Sequence, residues 1–324
     1  MRTGKELIMA SRKFIHEDRG RSWRETIITL FALSACLAAG FLPMHWTLKV
    51  ANAVVCGLFY VRMFTIYHDY QHHAILQGSP AASFIMKTFG VFILAPQNIW
   101  KRSHDHHHTH NSKLTIHGIG SFPTICKSRY ESLTKAQKIT YLVNRHPLTV
   151  LLGYFTLFIY WLNVKSFVQS PAKHLDSLLA LVIHVGTSIL IYNVAGPVDF
   201  FIVWFLPFFI AFAMGSYLFY CQHNFPGATF CEKEEWKYEE AALQSTSFMV
   251  MNPVMQWFTG NIGYHHVHHL NSKIPFYRLP EAMAGIPELH NPPVTSWHPL
   301  EVFRCLRLKL WDAEKNRMIT LSER

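Results

Sequence analysis

Charged residues are scarce in this chain of 324 residues, since Asp, Glu, Lys and Arg together make up only 15% of it. A soluble globular protein carries about a quarter. Half of the chain is hydrophobic, and its apolar residues occur in long runs, which indicates a membrane protein. The formal net charge is +10, but the basic residues flank apolar runs, as in membrane proteins. Because no nucleic-acid-binding fold or basic face is recognisable, we expect no nucleic-acid partner.

Cysteine is also scarce. The six cysteines are scattered, without a CxxC pair or a disulfide-like spacing. Neither a four-cysteine iron–sulfur set nor a His-Pro-Gly-Gly haem motif is present. The zinc-protease pattern HExxH fails because Gly20 stands where the second histidine after His16-Glu17 is required. The first 25 residues are polar and basic, which predicts a cytoplasmic segment rather than a secretory signal.

Four apolar runs approach the roughly 20 residues that a helix needs to cross a bilayer. They are residues 26–44, 50–67, 177–194 and 198–220. A short link joins the first two, and the turn Ala195-Gly196-Pro197 joins the last two, so we expect two helical hairpins. A further run, 84–95, is too short to span and is expected to be interfacial or re-entrant. Another, 147–162, is expected to be interfacial or half-inserted, because a fifth span there would separate the histidine clusters described next.

Histidine is abundant, with 21 residues against 20 Asp plus Glu. Three clusters repeat a helical spacing of three or four residues, which puts the imidazoles of each cluster on one helix face. Their members are His68 and His72; His104, His107 and His108; and His265, His268 and His269. His223 follows the last apolar run. Because each cluster lies near the end of an apolar run, we expect one metal site on one side of the membrane.

Eight or nine imidazoles are too many for one zinc ion, which takes three or four protein ligands, so the pattern indicates two metal ions. Imidazole suits iron, zinc and copper, and a redox-active iron pair explains the ligand count best. Carboxylates beside the clusters are candidates to orient the imidazoles, namely Asp69, Asp105, Glu239 and Glu240. The neighbouring His73, His106 and His110 have no assigned role.

These clusters resemble the histidine boxes of the membrane fatty acid desaturases and alkane hydroxylases, in the order HxxxH, HxxHH and HxxHH. His223 is similar to the additional ligand of that family. The segments 218–223 and 260–275 look especially like bacterial acyl-lipid desaturases. The resemblance covers roughly residues 50 to 285.

The resemblance implies an all-α integral membrane fold, with four transmembrane helices in two hairpins and a cytoplasmic helical cap that holds two non-haem iron ions. The ligands would be His68, His72, His104, His107, His108, His223, His265, His268 and His269. It also implies oxygen-dependent desaturation of a long fatty acyl chain carried on a lipid, CoA or carrier protein. The domains would be a cytoplasmic N-terminal segment (1–25), the desaturase domain (26–290) and a cytoplasmic tail (291–324).

Electrons would come from a separate ferredoxin-like or cytochrome-like donor. A basic cytoplasmic face could steer an acidic donor, and its candidates are Lys101, Arg102, Lys273 and Arg278. Two alternatives remain open, because the histidine pattern and the apolar runs are compatible with other functions. A hydroxylase or an alkene-forming decarboxylase would use the same scaffold, and a metal transporter would use histidines near mid-membrane, where only His184 lies.

Overall fold

The computed structural model describes residues 2–114 and 122–324. Its α-helices are α1 (Gly4–Ser11), α2 (Arg19–Gly40), α3 (Trp46–Gln71), α4 (Pro80–Phe92), α5 (Gln97–His110), α6 (Lys127–Ser132), α7 (Lys135–Asn144), α8 (Pro147–Leu151), α9 (Ser166–Gln169), α10 (Leu175–Asp199), α11 (Leu206–Cys221), α12 (Tyr238–Gln244), α13 (Pro253–Phe258), α14 (His265–Leu270), α15 (Leu279–Gly285) and α16 (Pro299–Arg307). Wider π-helical turns cover Tyr154–Lys165 and Phe200–Phe205. The fold is therefore mostly helical, as the sequence predicts.

Helices α2 and α3 form the first hairpin. Asp18 caps the start of α2 by accepting a hydrogen bond from the amide of Arg21 (2.9 Å). The two helices run antiparallel, because Asn52 of α3 donates to the carbonyl of Cys36 (2.8 Å), near the end of α2. Arg62 of α3 reaches Glu25 near the start of α2 (Nη2 to Oε2, 2.5 Å). This ion pair neutralises the buried guanidinium between two apolar helices.

Helices α10 and α11 form the second hairpin. The chain reverses at Gly196, whose φ of +84° lies in the region that favours glycine, and Pro197 follows. The two arms then pack side by side. Trp204 donates to the hydroxyl of Ser188 (2.8 Å), and the rings of Tyr192 and Phe200 lie 5.8 Å apart. The predicted turn at residues 195–197 is thus confirmed as a reversal between helices.

Two helical runs among the described residues are long and apolar enough to cross a membrane, as judged by length and composition. They are Trp46–Gln71 and Leu175–Cys221, and the second contains the reversal at Gly196. Helix α2 does not meet that measure; it begins in the polar segment at Arg19, seven residues before the predicted run. The shorter predicted runs correspond to α4, and to α8 with the π-helical turns that follow it.

Within residues 2–114 and 122–324, five short strands depart from the all-α prediction. They are β1 (Ile125–Cys126), β2 (Phe248–Val250), β3 (Val294–Ser296), β4 (Leu308–Asp312) and β5 (Arg317–Thr320). Strand β4 lies between β1, which is parallel to it, and β5, which is antiparallel, and β2 pairs with β3 in parallel. Segments of two to five residues are too short for alternation to be recognised in the sequence. Residues 291–324, expected to be a tail, thus contribute three of the five strands.

The largest apolar core lies between α3, α4, α11 and the π-helical turn at 154–165. A second core joins the end of α11 to α16 and β4, and a third packs α1 against α14 and α15. All three histidine clusters lie where the first core meets the other two. The C-terminal ends of α3 and α11 therefore point to the same region of the molecule.

Candidate metal centre

Helix α3 and the residue after it supply the first two histidines. His68 lies in the last turn of α3, and His72 directly follows the helix. Both side chains are buried, and their ring centroids are 4.6 Å apart. The predicted spacing of four residues therefore brings the two imidazoles together.

Helix α5 supplies three histidines from one face. His104, His107 and His108 are buried, whereas Asp105 and Thr109 on the opposite side are exposed. Trp100 lies one turn earlier and stacks on His104, with ring centroids 4.5 Å apart. The indole thus fixes the plane of the first imidazole of this cluster.

The remaining ligand candidates come from α14 and from the end of α11. His265, His268 and His269 are buried on α14, and His223 follows α11. A tight approach holds α14 in place, because a Cβ at Gly263 would lie only 2.6 Å from the carbonyl oxygen of Met249. The amide of Met249 in turn donates to the carbonyl of Gly263 (2.8 Å).

All nine predicted histidines come together in two groups. The first group is His68, His72, His104, His108 and His268, and the second is His107, His223, His265 and His269. Within each group the ligand atoms lie within 4.8 Å of one another. Helices α5 and α14 each contribute histidines to both groups.

Several ring nitrogens have more close neighbours than hydrogen bonding alone can account for. In the first group, the Nε2 atom of His104 lies 2.9 Å from that of His68 and 3.1 Å from that of His108. In the second group, the Nε2 atom of His223 lies 3.0 Å from that of His107 and 2.9 Å from that of His265. A neutral ring nitrogen carries either one proton or one lone pair, so it cannot bond to two such neighbours.

These distances fit imidazoles that share a cation. Nitrogen ligands lie about 2.1 Å from an ion such as zinc, so two of them at right angles are about 3.0 Å apart. The Nε2 atoms of His72 and His269 are buried without a hydrogen-bond partner in the described part of the chain, as expected of atoms directed at a metal. The donor set is wholly imidazole in both groups among the residues that the structure describes, which suits iron, zinc or copper.

Two contacts fix the tautomer of particular rings. The Nδ1 atom of His68 lies 3.0 Å from Asp69 Oδ1, and that of His223 lies 3.2 Å from the carbonyl oxygen of Ser245. Because both oxygens accept, each Nδ1 carries the proton and each Nε2 presents its lone pair to its group. Asp69 is itself held, since its Oδ2 accepts from the amide of Phe276 (2.6 Å).

Burial keeps the imidazoles neutral. It lowers the pKa of His104, His107 and His108 on α5 well below its ordinary value, and neighbouring imidazoles lower it further. The same causes act on the three histidines of α14, and burial lowers the pKa of His223 to about 4. Neutral rings keep the lone pair that a metal ion requires.

The other carboxylate candidates take different partners. Asp105 is exposed and pairs with Lys101 (2.7 Å), and Glu240 pairs with Lys237 (2.8 Å). Neither contact involves an imidazole. Glu239 lies beside Glu240 in the first turn of α12.

The additional histidines do not belong to either group. His73 is exposed and contacts Gln77 (2.7 Å), and its φ of +59° turns the chain away from α3. His106 and His110 stack on each other at 4.1 Å on the outer side of α5. His266 is buried, but its Nε2 lies 3.3 Å from the carbonyl of Leu289. These four histidines are therefore not among the ligand candidates.

An apolar cavity adjoins the two groups. The histidines at its wall are His68, His104, His107 and His265, and the other lining residues are Tyr60, Val61, Phe64, Thr65, Ile93, Trp100, Ser103, Leu157, Phe158, Leu162, Ala211, Phe212, Gly215, Leu218, Phe219, Gln222 and Ile262. Along α3 the lining runs from Tyr60 to His68, about 12 Å at 1.5 Å per residue. The histidines therefore lie at one end of a long, mostly hydrophobic space.

Several contacts of the site were not predicted from the sequence. Trp100 precedes His104 by four residues, and this helical spacing was the signal that could have indicated the stacking. Phe219 lies with its ring 5.3 Å from that of His107, and Tyr238 donates to the carbonyl of His269 (2.6 Å). Only the fold brings these last two residues to the histidines, so no local pattern indicates them.

Comparison with known proteins identifies the family. The sequence model described as fatty acid desaturase matches residues 44–298, which is most of the chain. The chain therefore belongs to the fatty acid desaturase family, whose members are oxidoreductases.

Individual relatives agree with this. The chain is 30% identical over 302 residues to a fatty acid desaturase of Bacillus subtilis (strain 168), covering 91% of this chain and 83% of the relative. It is 23% identical to the sn-1 oleoyl-lipid 12-desaturase of Arthrospira platensis, covering 81% and 75%. It is 24% identical to the chloroplastic omega-6 fatty acid desaturase of Spinacia oleracea, covering 91% and 67%.

Proposed function

We propose that this enzyme introduces a carbon–carbon double bond into a long fatty acyl chain, using molecular oxygen at two iron ions held by the nine histidines. One observation carries the proposal. Two groups of buried imidazoles lie at one end of an apolar cavity, so a reactive metal centre and a space for an alkyl chain adjoin each other. The relatives, which are named as desaturases of fatty acids and of oleoyl lipids, support an acyl substrate.

The reaction consumes one oxygen molecule, two electrons and two protons for each double bond. Two hydrogens leave neighbouring methylenes, and the oxygen is reduced to two waters. When bound, the iron pair supplies the oxidising power needed to break an unactivated C–H bond. Since the described residues hold no redox cofactor motif of their own, a separate ferredoxin-like or cytochrome-like donor would bring the electrons.

The chain's own residues bind, orient and shield the substrate. Phe64, Phe158 and Phe212 line the cavity with apolar surface, which excludes water and favours burial of methylenes at about 0.8 kcal/mol each. Trp100 and Phe219 lie beside His104 and His107. Aromatic walls at this end would hold the alkyl chain in one path past the metal centre.

The proposal includes four membrane-spanning helices, formed by the arms of the two hairpins. Apolar side chains on their outer faces are exposed, as lipid contact requires. They include Ile27, Phe31, Val54, Val55, Leu179, Val182, Ile189 and Phe201. Because α3 and α11 both lead into the histidine site, four spans put all the ligands on one side. The basic residues before α2 favour the cytoplasm for that side.

Three of the four residues expected to steer an electron donor already have partners. Lys101 pairs with Asp105, Arg102 lies 2.7 Å from the Nε2 of His174, and Arg278 pairs with Glu281 (2.8 Å). Lys273 is exposed. Donor docking on this face therefore stays a proposal that rests on the net positive charge.

Lipid analysis of a host that expresses the chain tests the proposal. We expect new unsaturated acyl chains with the wild type and none with His268→Ala, which removes a ligand of the first group; bound iron should fall as well. His106→Ala is the matched control, because this histidine of α5 faces away from both groups, and it should retain most of the activity. Full activity in His268→Ala would overturn the proposed site.

The products distinguish the alternatives. Hydroxylated acids would identify the enzyme as a hydroxylase, and terminal alkenes would identify it as a decarboxylase. Either product would still support the proposed metal centre. A transporter is disfavoured because the histidines follow the spans. The mid-span His184 is bonded to Tyr154 rather than to a second metal-ligating side chain.

A further inference from the structure

Helix α16 has an outer face that is both apolar and basic. Leu300 and Phe303 are 63% and 57% exposed, and Arg304 and Arg307 beside them are exposed too. The spacing 300, 303, 304 and 307 forms a single stripe along the helix. The opposite face is anchored, since Cys305 is fully buried.

Several contacts fix α16 at the end of α11. Asn224, three residues after α11, donates to the carbonyl of Cys305 (2.6 Å). The ring of Trp297, just before α16, lies 5.3 Å from that of Tyr217 in the last turns of α11. If α11 spans the membrane, as proposed above, α16 lies at the level where that span leaves the bilayer.

Helix α8 flanks the same end of α11. Its Val150 is buried in the core that also holds Tyr217 and Cys305, while Leu148 and Leu151 are 56% and 49% exposed. Two short helices around one span thus turn large apolar side chains outward at the same level. Single exposed leucines are common, whereas several large apolar side chains grouped around one end of a helix indicate an interaction surface.

The charge of the patch indicates its partner. A groove beside α16 is lined by Pro226, Leu300, Phe303, Arg304, Arg307, Leu308 and Thr320, and none of these residues is acidic. The guanidinium of Arg307 lies 5.3 Å from the ring of Phe303. No carboxylate forms an ion pair with Arg304 or Arg307 within the part of the chain that the structure describes. A short helix with apolar and basic residues on one face fits an anionic lipid surface.

We propose that α16 lies on the bilayer surface, with Leu300 and Phe303 at the acyl-chain boundary and Arg304 and Arg307 on anionic phospholipid headgroups. The C-terminal segment is then a membrane-bound part of the enzyme. This inference rests on the proposal that α11 spans the membrane. Its test must therefore distinguish a failure of the inference about α16 from a failure of the proposed span.

Spin labels in nanodiscs of phosphatidylcholine and phosphatidylglycerol provide that separation. In a background with Cys36, Cys126 and Cys231 replaced by Ala, we would label Phe303→Cys, Val185→Cys in the middle of α10, and Glu314→Cys in the exposed β4–β5 turn. We expect the labels at 303 and 185 to be reached by oxygen and shielded from a nickel chelate. The label at 314 should be reached by the chelate.

The outcomes are distinct. A label at 303 that is as open to the chelate as the one at 314, with 185 still shielded, overturns the inference and leaves the spans intact. If the label at 185 is also open, the proposed spans fail and the inference fails with them.

A second measurement tests the charge. Adding phosphatidylglycerol to phosphatidylcholine nanodiscs should raise the thermal midpoint of the wild type, and Arg304→Gln/Arg307→Gln should lose at least half of that gain. The control Lys315→Gln/Arg317→Gln removes the same charge from the β4–β5 turn and the start of β5, and it should keep the gain. An equal gain in all three proteins would contradict the role assigned to the two arginines.

Discussion

Among the described residues, Asp69 is the one carboxylate that contacts a histidine of the proposed centre. It accepts from His68 with one oxygen and from the amide of Phe276 with the other. The carboxylate therefore both sets the tautomer of a ligand and ties α3 to the segment after α14. Partners of this kind typically contribute 10- to 100-fold in metal affinity.

Replacing Asp69 with Asn should weaken metal binding without unfolding the protein. The amide keeps an oxygen for one of the two contacts but loses the charge that favours a proton on Nδ1 of His68. We expect roughly a 10-fold or greater loss of iron affinity, measured by iron content after dialysis against a graded chelator. Asp105→Asn is the matched control and should bind iron like the wild type; equal losses in both variants would show that the contact with His68 is unimportant.

The same comparison shows what the sequence could and could not predict. Asp69 and Asp105 each follow a proposed ligand, His68 and His104, within a helix, so the local patterns are equivalent. Only the tertiary fold distinguishes them, by bringing the amide of Phe276 to Asp69. By contrast, eight of the nine histidines were predictable, because helical spacing determines which imidazoles share a face, and the ninth, His223, was indicated by the family resemblance. His106 and His110 fall on the other face of α5 for the same reason.

At the scale of the elements, the helices were predictable where they are long and apolar. The hairpin turn at Gly196-Pro197 follows from turn chemistry. The helices α3, α10 and α11, with the π-helical turn between the last two, cover three of the four predicted long runs. The strands were not predictable because their pairing is distant. Strand β1 pairs with β4 through Ile125 and Leu310, and two residues carry no periodicity.

Helix α11 allows a direct test of the cavity. Gly215 lines the cavity, and a Cβ at this position meets no atom within 4 Å. A Leu side chain there should enter the space proposed for the acyl chain. We expect Gly215→Leu to reduce double-bond formation at least 10-fold, or to shift it to shorter chains, while bound iron is unchanged; product analysis beside iron assay would measure both.

Gly186 provides the control for this substitution. It lies on the exposed side of α10, and a Cβ there also meets nothing within 4 Å. Gly186→Leu should therefore leave products and iron content as in the wild type. Unaltered products in Gly215→Leu would exclude the cavity as the acyl site.

At the scale of the whole molecule, one buried cation couples stability to pH. Lys309 on β4 donates to the carbonyl of Arg145, and the rings of Tyr141 and Tyr220 lie nearby. Burial, with a smaller contribution from the positive charge of Arg145, lowers the pKa of Lys309 to about 7. The unfolded chain keeps this lysine protonated up to its ordinary pKa, about 10.4.

The unfolded state therefore binds more protons than the folded state between about pH 7 and pH 10, and stability should rise with pH across that window. From pH 7.5 to 9.0 the gain from Lys309 amounts to at most about 2 kcal/mol. We expect the thermal midpoint of the wild type in detergent to rise over this range, and that of Lys309→Met to rise less. Parallel changes in the two proteins would assign the dependence to other groups.

Because both histidine groups include residues from α5 and α14, the metal sites can be completed only late in synthesis of the chain. Each group takes members from α5 and from α14, so neither has all its proposed ligands until the ribosome has passed residue 269 and α14 has docked. An ion that arrived earlier would meet at most the histidines of α3, α5 and the end of α11. If the proposed function holds, biosynthesis would separate membrane insertion from iron loading, and the chain would exist as an apoprotein in the interval.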